Sequence, residues 1–408
     1  MPDRRGANLF EHLPEEIIDK ILTQLPPKDV GRCRVVSTAW RSITSTPEFM
    51  LEHHRHQPSL PIINGDGRPA SLVVIRGTGS CRASNQQLWP FVPGFQHRSK
   101  SDLHASCDGL LVIRHLTRYY ICNPVTREHA FLPQLRQGFF NNIIGFYRHH
   151  PTGEYRVLWV SMSHDLSKSS LHALTVGSKE PRHVAVTMPG VSLPFREHKL
   201  LMEICPLSSS PPPVHHRGSL HWFPYGGCPI LGDGGDDIIV FDTEAESFRR
   251  MRGPTQLCSN RKLFEMKGEL AFWGSPAPGY REIDVWVMQD YEAKIWDFKY
   301  RIDPSTVEVS RQLYLASSKR KTKAPLDSTV RWFNDMVVLN EHELLIKFNN
   351  KLVFRYDIGG KFLGIVNLGK RQYCMFLTQH RLQESIIPIP SHWRQGEDEE
   401  PPFCTGHV

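Results

Sequence analysis

The sequence predicts an α+β multidomain chain: a small N-terminal module of three helices, followed by a large all-β domain built from propeller-like repeats. Three observations carry this reading. Apolar residues recur at helical spacing through the first fifty residues, short β-branched and aromatic runs take over from about residue 60, and one strand–turn–strand pattern then returns at an interval near fifty residues.

In the first region, Leu13, Ile17, Ile18, Ile21, Leu22 and Leu25 fall on one helical stripe. Pro14 suits a first-turn position, and Glu15 and Glu16 suit the positive end of the helix dipole. Pro26-Pro27 stops this helix, because neither ring nitrogen can donate a backbone hydrogen bond. Asp29 is positioned to cap a second helix carrying Val30, Cys33 and Val36. Ser37 or Thr38 is positioned to cap a third, with Trp40 and Ile43, before Pro47 ends the run. Helices this short hide little apolar surface among themselves, so Ile17, Leu25 and Trp40 point to a partner.

Beyond residue 60 the expected strands are Ser71–Arg76, Leu110–Ile113, Tyr155–Val160, Ile238–Phe241, Asp284–Met288 and Leu352–Tyr356, with no long amphipathic helix between them. The recurring pattern begins at Asp108-Gly109, continues through Tyr120 to Asn123-Pro124 and closes on Glu128 to Pro133. It returns at Arg217-Gly218 with Asp242, at Lys267-Gly268 with Asp284, and in a degenerate copy at Glu341-His342 with Asp357. A polar-Gly corner opens an inner strand, a second strand ends at Asn or Asp, and a tight turn feeds an outer one. Fifty residues separate Gly218 from Gly268, and 109 separate Gly109 from Gly218, with Tyr155–Val186 filling the gap. That period describes propeller blades, six or seven in the length available, and a closed ring removes exposed sheet edges.

Composition excludes several classes. The 408 residues hold 49 Lys and Arg against 42 Asp and Glu, and this charge of +7 is spread too thinly for a nucleic-acid partner. No stretch approaches the roughly 18 apolar residues of a membrane span, and no secretory leader opens the chain, so no membrane partner is expected. Nine scattered cysteines without a Cys-x-x-Cys pair read as idle thiols of a reducing compartment, the cytoplasm, the nucleus or both. The chain carries no nucleophile elbow, phosphate-binding loop or His-Glu-x-x-His, so it reads as non-catalytic, with neither cofactor nor metal. Gly359-Gly360-Lys361 reads as a hairpin turn. The groups His53-His54-x-His56, His149-His150 and His215-His216 read as surface or linker histidines, because strand neighbours point to opposite faces.

The run from Leu13 to Pro26, followed by Val30, Arg32 to Val36 and Trp40 to Ile43, resembles an F-box. Ser37 and Thr38 stand where that family usually carries a Cys and a basic residue. The later passage Cys107-Asp108-Gly109-Leu110-Leu111 to Cys122-Asn123-Pro124-Val125-Thr126 resembles the plant F-box-associated interaction domain, kelch-like in character. The resemblance implies a substrate-recognition subunit of a Skp–cullin–F-box ubiquitin ligase. In such a complex the F-box docks on a Skp-type adaptor, and through it a cullin ligase, while the β domain binds a protein substrate that the sequence does not identify. The implied adaptor-facing set is Leu13, Pro14, Ile17, Ile21, Leu25, Pro26, Val30, Cys33, Arg34, Val36, Trp40 and Ile43, with Ile18 and Leu22 as the module's own core. The alternative is a propeller-type interaction scaffold acting outside the ligase, and a third class is a propeller enzyme.

The implied domains are an F-box at 7–50, a polar linker at 51–60, the β domain at 61–390 and a disordered tail at 391–408. Two Gly/Pro-rich loops, Phe223 to Asp236 and Gly274 to Arg281, occupy corresponding places in successive repeats. Tyr225, Tyr280 and Arg281 on them are candidate substrate contacts. Trp222, Trp273, Trp286, Trp296 and Trp332 read as blade packing. Lys319 to Lys323 reads as a solvated basic loop, with nuclear import as the alternative.

Overall fold

The computed structural model describes residues 13–65, 71–76, 84–88, 101–115, 118–133, 140–162, 169–186, 194–205, 212–224, 237–254, 259–276, 282–317, 333–348, 352–366 and 375–390. Four helices come first: α1 (Glu15–Gln24), α2 (Pro27–Val36), α3 (Thr38–Thr44) and α4 (Pro47–His56). The Pro pair ends α1 as expected, but Pro27 also opens α2, where its missing N–H would find no partner in any case. Ser37 caps α3 by accepting from the Trp40 amide at 3.3 Å. Pro47 corrects the expectation of three helices and a linker. It sits in the first turn of α4, and Thr46 Oγ1 accepts from the Phe49 amide, so the proline starts a helix. The supposed linker at 51–60 is therefore helix to His56 and strand from Ser59.

Among the described residues, the β domain is a ring of six four-stranded antiparallel sheets. β1 (Ser59–Gly65), β2 (Ser71–Arg76) and β3 (Ser84–Leu88) lead into the blade of β4 (Ser101–Cys107), β5 (Leu110–His115), β6 (Arg118–Asn123) and β7 (Glu128–Phe131). The next comprises β8 (Phe140–Arg148), β9 (Tyr155–Met162), β10 (Ser170–Thr175) and β11 (Arg182–Val184). After α5 (Pro194–Ile204) come β12 (Val214–His216), β13 (Ser219–Trp222), β14 (Ile238–Asp242) and β15 (Ser247–Met251). β16 (Ser259–Met266), β17 (Glu269–Ser275), β18 (Ile283–Asp290) and β19 (Ile295–Ile302) form the fifth sheet. α6 (Pro304–Ser317) precedes β20 (Phe333–Val338), β21 (Glu343–Phe348), β22 (Leu352–Asp357) and β23 (Phe362–Ile365). Last, β24 (Met375–Gln383) returns to pair with β1, Leu60 opposite Leu382 and Ile63 opposite Leu377, so one blade joins both ends of the domain. The closure leaves no blade without neighbours on both sides.

Every expected strand lies within an observed one. Two expectations are corrected. α5 and α6 interrupt the β domain as helices, and Leu200, Leu201 and Ile204 of α5 pack beneath the third and fourth blades. The strand after each polar-Gly corner is also not innermost. The preceding strands β4, β8, β12, β16, β20 and β24 face the central channel, and the corner is the hairpin leading out of it.

The corners have a common geometry. Asp108 and Gly109 have φ of 47° and 79°, Arg217 and Gly218 47° and 68°, Lys267 and Gly268 56° and 81°. Two successive positive φ values make a type I′ turn, whose twist matches the flanking strands. The third-to-fourth strand turns repeat as well. Asn123 Oδ1 accepts from the Val125 and Thr126 amides, and Asp242 Oδ1 from those of Glu244 and Ala245. Gly360, with φ of 85°, makes the expected turn between β22 and β23. Trp222 and Trp273 are buried and Trp286 and Trp296 half-buried among the blade clusters, while Trp332, Lys319 to Lys323 and the tail from 391 lie outside the described residues.

Candidate functional site

The helical module closes a small core of its own. Leu22, Val30 and Phe49 are buried together, with Ile18, Leu25, Cys33, Trp40 and Ile43 packed half-exposed around them. The fourth buried member is Ile386, from the far end of the chain. Arg34 braces the module internally: Nε donates 3.0 Å to Thr44 Oγ1, and Nη2 donates to the Thr44 carbonyl. His53 Nε2 donates 2.8 Å to the Leu25 carbonyl, satisfying the end of α1.

These contacts sort the adaptor-facing candidates. Val30 is 0% exposed and belongs to the module's own core, which corrects its place in that set: a side chain with no accessible surface has none to offer another chain. Ile17 and Ile21 on α1 are 41% and 42% exposed, and Val36 on α2 is 75% exposed. Pro14 and Pro26 are exposed, and Leu13, Leu25, Cys33, Arg34, Trp40 and Ile43 are half-buried. Val35 is 78% exposed beside Val36; the sequence reading missed it, although the Val-Val pair at a helix end was the available signal.

α4 ties this module to the ring. Met50 and Leu51 pack against the second blade's core together with Ile387 and Ile389. Gln383 Nε2 donates to the carbonyls of Arg55 (3.2 Å) and Gln57 (2.9 Å), at the C-terminal end of α4. Asn123, fully buried, donates from Nδ2 to the carbonyls of Ser385 (3.0 Å) and Ile387 (2.8 Å). His54 Nδ1 donates 3.3 Å to the Glu384 carbonyl, and its Nε2 lies 3.7 Å from Asp108 Oδ1. The expectation of surface or linker histidines is thereby corrected for four of them: His53, His54, His149 and His216 are buried, and His54 sits in the joint itself, while His56, His150 and His215 are exposed as expected.

Beside this joint the channel opens into a cavity of about 210 Å³, walled by the inner strands and by His54. Asp108, Glu265, Arg381 and the imidazoles of His54, His215 and His380 contribute to its lining. Burial pulls His380 down to about 3 and also lowers His54, whose neighbour Asp108 opposes the shift. Burial also drives the Cys107 thiol well above its ordinary value and Cys122 up to about 12, so neither is a thiolate at neutral pH. Tyr225, Tyr280 and Arg281 lie outside the described residues.

These depressed imidazoles predict a pH dependence. The buried His380 and His221 (about 3 each) stay neutral in the folded chain, whereas unfolded histidine takes up a proton below about pH 6.5. The unfolded state then binds more protons, so this contribution is complete above pH 6.5 and is lost as the pH falls towards 3. The thermal midpoint should fall between pH 7 and 5; a flat profile across that window would contradict the burial of these rings.

Comparison with known proteins agrees with the architecture. An F-box domain profile matches residues 10–52, and a profile described as the F-box associated beta propeller domain matches residues 93–321. The kelch-like character expected of the repeats is not what that profile describes. The chain is 25% identical over 320 residues to an F-box protein of Arabidopsis thaliana, covering 72% of this chain and 79% of that one. It is 23% identical over 383 residues to an F-box/LRR-repeat protein of the same plant, covering 87% and 78%. Among solved structures, TolB from Acinetobacter baumannii aligns with a TM-score of 0.41 at 10% identity, over 78% of this chain and 65% of that one.

Proposed function

The chain belongs to the F-box-associated β-propeller family, and on that premise we propose that it is the substrate-recognition subunit of a Skp–cullin–F-box ubiquitin ligase. The helical module docks on a Skp-type adaptor, the propeller holds the target protein, and the transfer chemistry belongs to other subunits. One observation carries the docking. The module has already closed its core around Leu22, Val30 and Phe49, yet Ile17, Ile21, Val35 and Val36 remain exposed on its helices. Large apolar side chains gathered on so small a module are characteristic of an interface.

The test is co-purification of the full chain with a plant Skp-type adaptor. Ile17→Asp combined with Ile21→Asp should weaken capture by about tenfold or more, and Val36→Asp should act in the same direction. Because these side chains are exposed, the thermal midpoint should hardly move. If the unaltered chain captures no such adaptor, the ligase reading fails. The propeller would then be a scaffold acting alone, whose effects in cells survive deletion of residues 1–50.

A further inference from the structure

The cavity at the channel mouth has a charge arrangement that the ligase reading does not use. The one guanidinium that lines it among the described residues is already engaged: Arg381 Nε donates 2.7 Å to Ser59 Oγ, Nη2 2.6 Å to the Ser59 carbonyl and Nη1 2.5 Å to the Val338 carbonyl. Asp108 is held by the Tyr155 hydroxyl at 2.9 Å and faces His54. Glu265, half-buried on β16, and His215, on β12, have no hydrogen bond or ion pair among the described residues, although both line the cavity. Arg381 is near enough to feel the Glu265 charge, but its donors point elsewhere.

At neutral pH the buried imidazoles of His54 and His380 are uncharged, because burial lowers both. The wall therefore presents two carboxylates against one occupied guanidinium. Among the described residues, an anion entering here would meet two like charges and no free charged donor, whereas a cation would meet the unpaired Glu265 carboxylate and the His215 imidazole. A half-buried carboxylate gains most from a charge-assisted partner that replaces the water it has lost. The volume lies below the range of ordinary cofactor pockets, about 300–1,000 Å³, and suits a single side chain or a small molecule.

We propose that the channel-mouth cavity binds an organic cation, an alkylammonium or guanidinium group, with Glu265 as its counter-ion and His215 as a second contact. As a statement about what the propeller grips, this rests on the ligase reading: the group would be a Lys or Arg side chain of the target. The same chemistry could come from a free small amine. Because His54 belongs both to the cavity wall and to the α4 joint, the occupant would sit directly against the helical module.

The test is calorimetric titration of the full chain with two probes, agmatine and the peptide acetyl-Gly-Arg-Gly-amide, and with glutarate as the anionic control. At least one cationic probe should bind, and Glu265→Gln should weaken it by about tenfold or more. His215→Ala should weaken it less, and both variants should keep their thermal midpoint. Tighter binding of the peptide identifies a polypeptide source, and tighter binding of agmatine a free amine. Failure of both probes to bind, equal binding by Glu265→Gln, or binding of glutarate instead would overturn the proposal. Adaptor co-purification is scored on the same samples. Loss of cation binding with the adaptor retained refutes the site alone, and cation binding without adaptor capture refutes the ligase reading alone.

Discussion

Gly109→Ala should destabilise the chain by about 2–4 kcal/mol, against about 1 kcal/mol for Gly218→Ala, although both glycines occupy the same position of the same type of turn. Each has a positive φ, 79° and 68°, so each substitution incurs the left-handed strain of an L-residue. The difference lies in what surrounds the turns. A Cβ on Gly109 would stand 2.4 Å from Ser385 Cβ and 2.6 Å from the Gln383 carbonyl oxygen, while one on Gly218 would meet nothing within 4 Å. The Gln383 obstacle is backbone, and the side chain of the same residue holds the end of α4. The strand end must move, and the joint between module and ring moves with it. Thermal or urea unfolding of the two variants measures the difference. Equal losses would mean that the close approach at Ser385 carries no weight.

The second large effect is expected at Asn123. Asn123→Asp preserves the turn, because Oδ1 can still accept from the Val125 and Thr126 amides, as Asp242 does from Glu244 and Ala245 in the fourth blade. What it removes are the two Nδ2 donations to the Ser385 and Ile387 carbonyls. It also sets a carboxylate oxygen against those carbonyls in a fully buried place. Unsatisfied buried acceptors and an uncompensated buried charge together should cost about 3–5 kcal/mol. Amide exchange should rise over residues 384–390 and α4 before it rises in the far blades. A variant as stable as the original, with unchanged exchange in this segment, would show that the asparagine serves the turn alone.

Asn123 also marks the limit of what could be read from the chain itself. Its place at the end of a strand before Pro124 was legible as a turn signal, and the structure has that turn. Its second role depends on carbonyls more than 260 residues away, with no local pattern to announce them. Pro47 shows a different limit: the same ring that stops a helix also starts one, and the deciding features were Thr46 before it and Glu48 after it. The buried histidines were misjudged because adjacency along the chain says nothing about which face is covered. Glu265 and His215 drew no attention as a pair because they belong to different blades.

The sequence by itself determined the helices at the N-terminus, the strands and their type I′ corners, and the repeating unit that makes a ring. Each depends on residues within a few positions of one another, through helical or alternating periodicity and the positive φ that Gly tolerates. Only the tertiary structure decided that there are six blades, that β24 closes the ring against β1, that Ile386 completes the helical core and that Glu265 and His215 share one cavity. Those facts depend on which distant side chains the closed ring brings within a few ångströms, and local periodicity carries no information about that.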